Sequence, residues 1–433
     1  MLIYVLFVLT IIILCFTYSV KKDIFHPTCL ISLSFCFSIF CAILNVENWK
    51  INLSSLTVEI IIIGLLSFIL PSLFIKVKKD KKMELNELKE IKISKGFTFI
   101  FLMAQFLLLV LHITWMEKYM GGFSNLFDLS LMKKFRFEKS FDQTIDYPFY
   151  INQGIKFSKA LVYILTYVFI NNAIFKCTKK KKIKIEFSVV LSILMFVIQT
   201  FVTGGRSELI LFLIYFVSLY FYLYNFYNEK NGTRIGKNLI KIVLVVILVL
   251  YLFSITRTLV GRTSNDGFIS YISRYFGGSI QLLDQYLKYP VPKSSIFGKE
   301  TFYGINKFLG QLGLINEKYT IHLEFRSSNG IELGNVYTAF RRMYQDFGIF
   351  GIIILNVIHG TIMSCCYKKI YSSDKVRLSL GVIFYFMLLH TIILMPFSDF
   401  FYSTVLSINY LNIIFYMIII MFVLKKYELK LRR

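Results

Sequence analysis

Few residues of this chain are of the types that build metal sites or disulfide frameworks. It has 7 cysteines and 5 histidines in 433 residues. The histidines lack the matched spacing of zinc ligands, so no metal site is expected. The cysteines all fall within apolar runs or at their ends, so no disulfide framework is expected either. They are Cys15, Cys29, Cys36, Cys41, Cys177, Cys365 and Cys366.

Charged residues are also scarce, at 17% of the chain against 56% hydrophobic residues. A chain of this length with so little charge is too apolar for a soluble protein. A helix of about 20 apolar residues crosses ~30 Å of hydrocarbon, and no segment alternates as a lipid-exposed barrel strand would. The expected fold is an all-α integral membrane protein, a single polytopic domain over 1–433 with about eleven transmembrane helices. The predicted spans are 2–20, 28–44, 57–75, 97–114, 155–175, 186–203, 208–226, 238–255, 349–366, 378–395 and 407–424.

Acidic residues are half as numerous as basic ones, which gives a net charge of +24. Most of the excess is lysine in short connectors, which the positive-inside rule assigns to the cytoplasm. There it would lie against acidic lipid, so membrane lipid rather than nucleic acid is the expected partner. An odd number of spans places the N-terminus outside and the C-terminus in the cytoplasm. The first apolar run lacks the basic start and cleavage site of a signal peptide, so it is expected to be retained.

Two long segments, 115–154 and 256–348, are predicted to face outward. Arginine does not follow the positive-inside rule, because eight arginines lie in outward segments. The planar guanidinium suits bidentate binding of phosphate and carboxylate, so the asymmetry predicts an outward anion site. The eight are Arg136, Arg206, Arg257, Arg262, Arg274, Arg326, Arg341 and Arg342.

The segment 256–348 is expected to be folded, because it is rich in aromatic and aliphatic residues and poor in low-complexity sequence. Helical spacing of apolar residues predicts amphipathic helices over 267–287 and 335–347, lying at the outer membrane surface. The chain shows no internal repeat, which weakens an interpretation as a transporter built from inverted halves.

Three groups of residues can carry chemistry. The first is the turn Thr203–Glu208 between two spans, where glycines reverse the backbone and Arg206 stands at the start of a helix, whose N-terminus attracts anions. The second is Arg257 and Arg262 at the outward end of a span, with Arg274 some three turns further on. The alternative for both groups is that the arginines extend to lipid headgroups.

The third group combines carboxylates, a histidine and arginines in 322–351. His322, Glu324 and Asp346 are candidate general bases, because such a base needs a titratable group near its operating pH. Arg326 and Arg341 lie in the same segment. Other histidines, such as His112 and His359, lie in or near spans and are interpreted as packing residues.

These residues resemble the O-antigen and repeat-unit polymerases of the Wzy type. The resemblance rests on the architecture and on three motifs: Gly204–Arg206, Arg257–Arg274 and Asn335–Gly351, which contains Asn-x-Tyr-Thr and Asp-Phe-Gly-x-x-Gly. It implies a bacterial inner (plasma) membrane enzyme that joins oligosaccharide repeat units carried on undecaprenyl diphosphate, at the outer face. No cofactor is implied, and a chain-length regulator protein is a further partner that the resemblance allows.

The resemblance also implies roles for individual residues. The carrier diphosphate would be bound by Arg206, Arg257, Arg262 and Arg274. Sugar or diphosphate would be held by Arg326, Arg341, Asn335 and Tyr337. The base stays open among His322, Glu324 and Asp346, in that order, whereas Arg136 and Arg342 are expected to be ordinary interfacial residues.

Other functions compete with polymerisation. O-antigen ligases are similar in their late outward loop but carry a His-Asn pair there, whereas Gly334 precedes Asn335 in this chain. A transporter or flippase would place charged groups at the centres of its spans, and the predicted spans are largely free of them. A structural or receptor role would use the long aromatic loop to bind a partner protein.

Overall fold

The computed structural model describes residues 1–76, 90–139, 145–179, 186–228, 267–315, 321–371 and 379–430, with isolated positions between 244 and 255. This part of the chain is helical apart from one β-hairpin and the connecting turns. The helices are α1 (Leu2–Lys21), α2 (Pro27–Ile43), α3 (Val46–Trp49), α4 (Ser55–Phe74), α5 (Lys95–Met120), α6 (Leu129–Phe137), α7 (Phe149–Thr178), α8 (Phe187–Val202), α9 (Ser207–Asn228), α10 (Phe268–Lys288), α11 (Tyr303–Gln311), α12 (Ala339–Tyr371), α13 (Leu380–Leu388), α14 (His390–Ile393) and α15 (Ile408–Lys430). The hairpin pairs β1 (Arg326–Ser328) with β2 (Ile331–Gly334).

The described residues include 6 helices that are long and apolar enough to cross a membrane, namely α1, α4, α5, α7, α9 and α12. Shorter apolar helices lie over 27–43, 187–202, 380–393 and 408–424. Every predicted span therefore coincides with a helix except 238–255, of which the structure describes only isolated positions. These helices are consistent with an α-helical, membrane-embedded protein, whereas eleven crossings and the orientation of the termini stay predictions.

The chain forms two compact units. The first consists of Met1–Asp80, Asp266–Ser373 and Leu388–Ile408. Within it, α12 packs along α4, and α10 and α1 both pack on α2. At Gly360 a Cβ atom would lie 2.1 Å from the carbonyl oxygen of Phe68, so α12 and α4 approach closely only because residue 360 has no side chain.

Helix α12 combines the predicted amphipathic helix and the span that follows it. The two parts meet at Gly348, whose φ of 64° and ψ of −154° interrupt the helical conformation. A residue with a side chain rarely adopts such angles, so glycine is required at this bend. The helix begins at Ala339 rather than at the predicted residue 335, because the chain leaves β2 only at Gly334.

The hairpin is fixed to the first unit by hydrogen bonds from both sides. Gln285 of α10 donates to the Ser327 carbonyl at 2.9 Å. Ser328 donates to the carbonyl of Trp49 at 2.8 Å, and Asn329 to that of Asn48 at 2.9 Å. Asn329 and Gly330 form the turn with φ of 50° and 75°, the conformation that Asn-Gly favours in tight hairpins. The hairpin therefore has a defined position beside α10.

Helix α10 confirms the predicted helix over 267–287 and is anchored at its end by a buried carboxylate. Asp284 accepts hydrogen bonds of 2.7 Å from the Ser54 amide and from the Thr57 hydroxyl. Lys288 pairs with the other oxygen of Asp284 at 2.5 Å. These bonds join the end of α10 to the start of α4, and so fix the position of the helix that the hairpin contacts.

The second unit consists of Lys81–Asn265, Asp374–Met387 and Asn409–Arg433. In it, α7 packs against α5, α8 and α9. The amide of Gln105 donates to Ser158 at 2.8 Å and to the Ser192 carbonyl at 3.0 Å, and its oxygen accepts from the Ser192 hydroxyl at 2.7 Å. This buried network satisfies the polar groups that tie α5, α7 and α8 together.

Candidate functional site

Four of the predicted site residues meet in the first unit around one carboxylate. The Glu324 carboxylate lies between the guanidinium groups of Arg341, at 2.6 Å, and Arg326, at 3.0 Å. Tyr337 donates to the backbone carbonyl of Glu324 at 3.1 Å. The segment ahead of β1 and the start of α12 are therefore joined through charge-assisted hydrogen bonds.

Arg341 is fully buried, and its charge is balanced within the protein. One terminal nitrogen pairs with Glu324 and the other with Glu300. The guanidinium carbon lies 4.6 Å from the ring centroid of Tyr286 and 4.8 Å from that of Tyr337, so aromatic faces cover the cation. Arg341 therefore holds two carboxylates and two aromatic rings in fixed positions around its guanidinium group.

Arg326 is similarly engaged by protein atoms. Besides its pair with Glu324, it donates to the carbonyls of Gln285 and Tyr289, both at 2.7 Å. These two carbonyls belong to the end of α10. Arg326 therefore ties β1 and Glu324 to the end of α10.

Arg342 is buried, with 4% of its surface exposed, so the expectation of an ordinary interfacial residue is wrong. Its guanidinium donates to the carbonyls of Glu300, at 3.2 Å, and Ile321, at 2.6 Å. The Thr301 hydroxyl in turn donates to the Arg342 carbonyl at 3.1 Å. Because this part of α12 packs against the 300–301 segment, the Arg342 side chain turns inward. Its hydrogen bond to the Ile321 carbonyl fixes the residue that precedes His322.

Asp346 holds the backbone next to Glu300. One of its carboxylate oxygens accepts from the amides of Glu300, at 3.1 Å, and Thr301, at 2.7 Å. With this carboxylate bound to backbone amides, the contacts of Asp346 are those of a positioning residue for Glu300.

The two carboxylates beside Arg341 differ in proton affinity. Burial raises the pKa of Glu300, against the opposing influence of Arg341 and Arg342. Burial also works against ionisation of Glu324, but Arg341 and Arg326 outweigh it and hold the Glu324 pKa below its ordinary value. Glu324 therefore stays ionised at neutral pH and is a weak base, while Glu300 keeps a proton more readily.

Asp399 is a further buried carboxylate, which the sequence alone did not single out. It lies between α14 and a short π-helical turn over Phe401–Val405. One of its oxygens accepts from the Tyr402 amide at 3.0 Å, and the other is buried and has no hydrogen-bond partner among the described residues. Burial raises the Asp399 pKa to about 6, although the Tyr402 amide and Arg342 oppose the shift. A lone aspartate in the polar break between two apolar runs was the signal that could have found it.

Three other candidates also belong to the first unit. His322 is partly buried in the extended segment two residues before Glu324, and Asn335 is partly buried between β2 and α12. Arg274 is partly buried on α10. The structure thus brings Glu324, Arg326, Arg341 and Tyr337 into direct contact and places His322 next to them in the chain.

Arg206 belongs to the second unit. It is buried, and its carbonyl accepts from the Leu209 amide at 3.1 Å, so α9 begins where the sequence predicts. The turn before it passes through Gly204, where a Cβ atom would lie 3.6 Å from the Cβ of Arg136. Arg257 and Arg262 lie outside the described residues. Among those that are described, no group of three or more His, Cys, Asp or Glu side chains could hold a metal ion.

Comparison with known proteins gives no relatives: no family model, no curated protein sequence and no solved structure matches this chain.

Proposed function

We propose that the chain is a membrane glycosyltransferase that polymerises oligosaccharide repeat units carried on undecaprenyl diphosphate, forming O-antigen, capsular or exopolysaccharide. The proposed location is the outer face of a bacterial plasma membrane, with eleven spans, the N-terminus outside and the C-terminus in the cytoplasm. The proposal rests on the resemblance to Wzy-type polymerases. The observation that supports it most directly is the cluster of Glu300, Glu324, Arg326 and Arg341 within the 256–348 segment.

The proposed reaction needs a base and a site for the departing diphosphate. An acceptor hydroxyl attacks the anomeric carbon, its proton passes to the base, and the bond from that carbon to the diphosphate oxygen breaks. His322 is the preferred base, because Glu324 is held as a weak base and Asp346 is bound to backbone amides. Arg342 supports this role by fixing the carbonyl of Ile321, the preceding residue.

Other arginines, outside the cluster of Glu300, Glu324, Arg326 and Arg341, stabilise the leaving group. Departure of the lipid diphosphate leaves negative charge, which guanidinium groups stabilise. Arg326 and Arg341 are engaged with protein carboxylates and carbonyls, so they have a positioning role. The diphosphate is bound by Arg206, Arg257, Arg262 and Arg274, as the resemblance implies.

A glycan gel of a strain deleted for this chain tests the proposal. A polymerase defect leaves single repeat units on the acceptor core, and plasmid-borne wild-type chain restores the ladder. Trapping of lipid-linked units on the cytosolic face would indicate a flippase instead, and long polymer not joined to its core would indicate a ligase.

Point variants then test the assignment of the base. His322→Ala is expected to abolish the ladder while the protein stays in the membrane at normal abundance. Glu324→Gln is expected to lower abundance as well, because it removes an ionic partner of buried Arg341. A normal ladder in His322→Ala would contradict the role given to His322.

A further inference from the structure

Lys139, in the second unit, lies among aromatic rings, and no carboxylate of the described residues pairs with it. Its ammonium nitrogen lies 3.9 Å from the ring centroid of Tyr147 and 5.7 Å from that of Phe135. The hydrogen bond it donates, to the Thr203 carbonyl, is long at 3.4 Å. Within the described residues it forms no ion pair, whereas nearby Lys134 pairs with Glu138.

An ammonium group in such surroundings is costly unless something compensates its charge. Contact with an aromatic face offsets part of the cost, most strongly when the cation is desolvated. Burial nevertheless lowers the Lys139 pKa to about 7, so the protein alone does not stabilise the charged form well. Lys139 keeps partial exposure, which leaves a route by which a ligand can reach it.

His112 and Tyr147 bring further polar atoms to this place. Both ring nitrogens of His112 and the hydroxyl of Tyr147 are buried, and no described residue forms a hydrogen bond with them. The His112 ring meets the Tyr147 ring edge-on, with centroids 5.0 Å apart. Buried polar groups without partners are rare in folded proteins, and three unpartnered atoms around one ring point to an occupant.

The chemistry of these groups defines the occupant. An ammonium and a phenol supply donors, and a neutral imidazole supplies one more, so the complementary ligand carries acceptor oxygens and negative charge. The adjacent Thr203–Gly204 turn joins two predicted spans, which places Lys139 near the depth of lipid headgroups in the proposed topology.

We propose that Lys139, backed by Tyr147 and His112, binds a phosphate group carried by a lipid. The phosphate belongs either to a phospholipid headgroup or to the undecaprenyl carrier, and the second source rests on the proposed function. The negative phosphate neutralises the charge of Lys139. Water held by the bound phosphate forms hydrogen bonds with the Tyr147 hydroxyl and the His112 ring.

Lipid binding to the purified full chain in detergent tests this site. The probes are undecaprenyl diphosphate, phosphatidylglycerol and phosphate-free diacylglycerol, each titrated while the Kd is measured. Lys139→Met, which keeps the apolar stem, is expected to weaken binding of a phosphate-bearing probe about tenfold, the loss of one charge-assisted contact. Lys139→Arg is expected to restore it, and diacylglycerol is expected to show no dependence on residue 139.

The matched control is Lys133→Met, an exposed lysine on α6 close to Lys139. It is expected to bind like wild type. An unchanged Kd in Lys139→Met for both phosphate-bearing lipids, or an equal loss in Lys133→Met, would overturn the proposal. If only phosphatidylglycerol depends on Lys139, the source is the headgroup; if only undecaprenyl diphosphate does, the source is the carrier.

The pH profile gives a second readout that a structural role would not produce. Because the free ammonium titrates near pH 7, wild-type affinity is expected to fall as pH rises from about 6 to 8. Lys139→Arg is expected to show a flat profile, since arginine stays protonated. Other charged or titratable groups nearby are shared by both proteins, namely His112, Arg136, Glu138 and Arg206. Parallel profiles would contradict the assignment to Lys139.

This test is separate from that of the proposed function. Lipid binding to purified protein needs no polymerising activity, so a normal glycan ladder in the deletion strain would remove the polymerase proposal and leave phospholipid binding standing. If lipid binding does not depend on Lys139 and the deletion strain makes only single repeat units, the proposed site is wrong and the polymerase proposal stands.

Discussion

Arg341 shows how strongly a single residue can hold several segments of this protein. It is fully buried, pairs with Glu300 and Glu324, and is covered by Tyr286 and Tyr337. Its charge is compensated only while both carboxylates stay in place. Removing one partner of a buried ion pair is destabilising, because the remaining charge is left without compensation.

Arg341→Met is therefore expected to destabilise the protein by about 3 kcal/mol. The midpoint of thermal unfolding in detergent measures the effect. Adding Glu300→Gln to Arg341→Met should recover part of the loss, since Glu300 then carries no charge and Glu324 keeps Arg326 as its ionic partner. Lys293→Met, at an exposed position, is the control; equal unfolding midpoints for wild type and Arg341→Met would contradict the expected role.

Asp399 gives a prediction with a defined pH window. Its pKa is raised from an ordinary value of about 3.9 to about 6 in the folded protein, so the unfolded chain releases this proton first. Stability is therefore lost as pH rises from about 4 to 6, by up to ~3 kcal/mol. Asp399→Asn should be more stable than wild type at pH 7 and equal to it near pH 4, as measured by thermal unfolding. A constant difference at both pH values would contradict this.

The sequence predicted which segment carries the cluster of Glu324, Arg326 and Arg341, but not the contacts within that cluster. Glu324, Arg326 and Arg341 were selected because they share one polar segment. That Arg342 turns inward depends on Glu300 and Thr301, which are distant in sequence, and no periodicity indicates that packing. Asp399 comes from another part of the chain and joins the site only through tertiary structure.

At the scale of elements, the helices followed from hydropathy and the hairpin did not. Long apolar runs are strong signals, and a helix lies at each predicted span other than 238–255, of which only isolated positions are described. The hairpin strands are only three and four residues long, too short for alternation to identify them. Asn329–Gly330 was the available signal, because this dipeptide favours tight hairpin turns.

Gly330→Val is expected to destabilise the hairpin by about 1–2 kcal/mol, because a β-branched residue fits poorly at positive φ. Limited proteolysis of the purified protein should then cut faster near the turn. Gly330→Asn is the matched variant, since asparagine tolerates this conformation, and it should be cut at nearly the wild-type rate. Equal cutting of the valine variant and wild type would show that the turn does not depend on glycine.

At the scale of the whole molecule, the proposed orientation can be tested directly. Ser295 is exposed in the 256–348 segment, and Ser19 is exposed near the predicted cytoplasmic end of the first span. In intact cells, Ser295→Cys should react with a membrane-impermeant maleimide, while Ser19→Cys should react only after permeabilisation. The parent protein, with its native cysteines, gives the background. Labelling of Ser19→Cys without permeabilisation would reverse the topology.

The first compact unit is assembled from three separate stretches of the chain, and this order has a consequence for biosynthesis. Helix α4 packs along α12, although the chain runs from residue 74 to residue 339 between them. At a translation rate of about 5–20 residues per second, α4 is made on the order of tens of seconds before its partner exists. The Asp399 segment arrives later still. A nascent chain therefore holds α4 without α12, although α1 and α2 are already present to pack with it, and the carboxylate–arginine cluster can close only after Arg341 has been made.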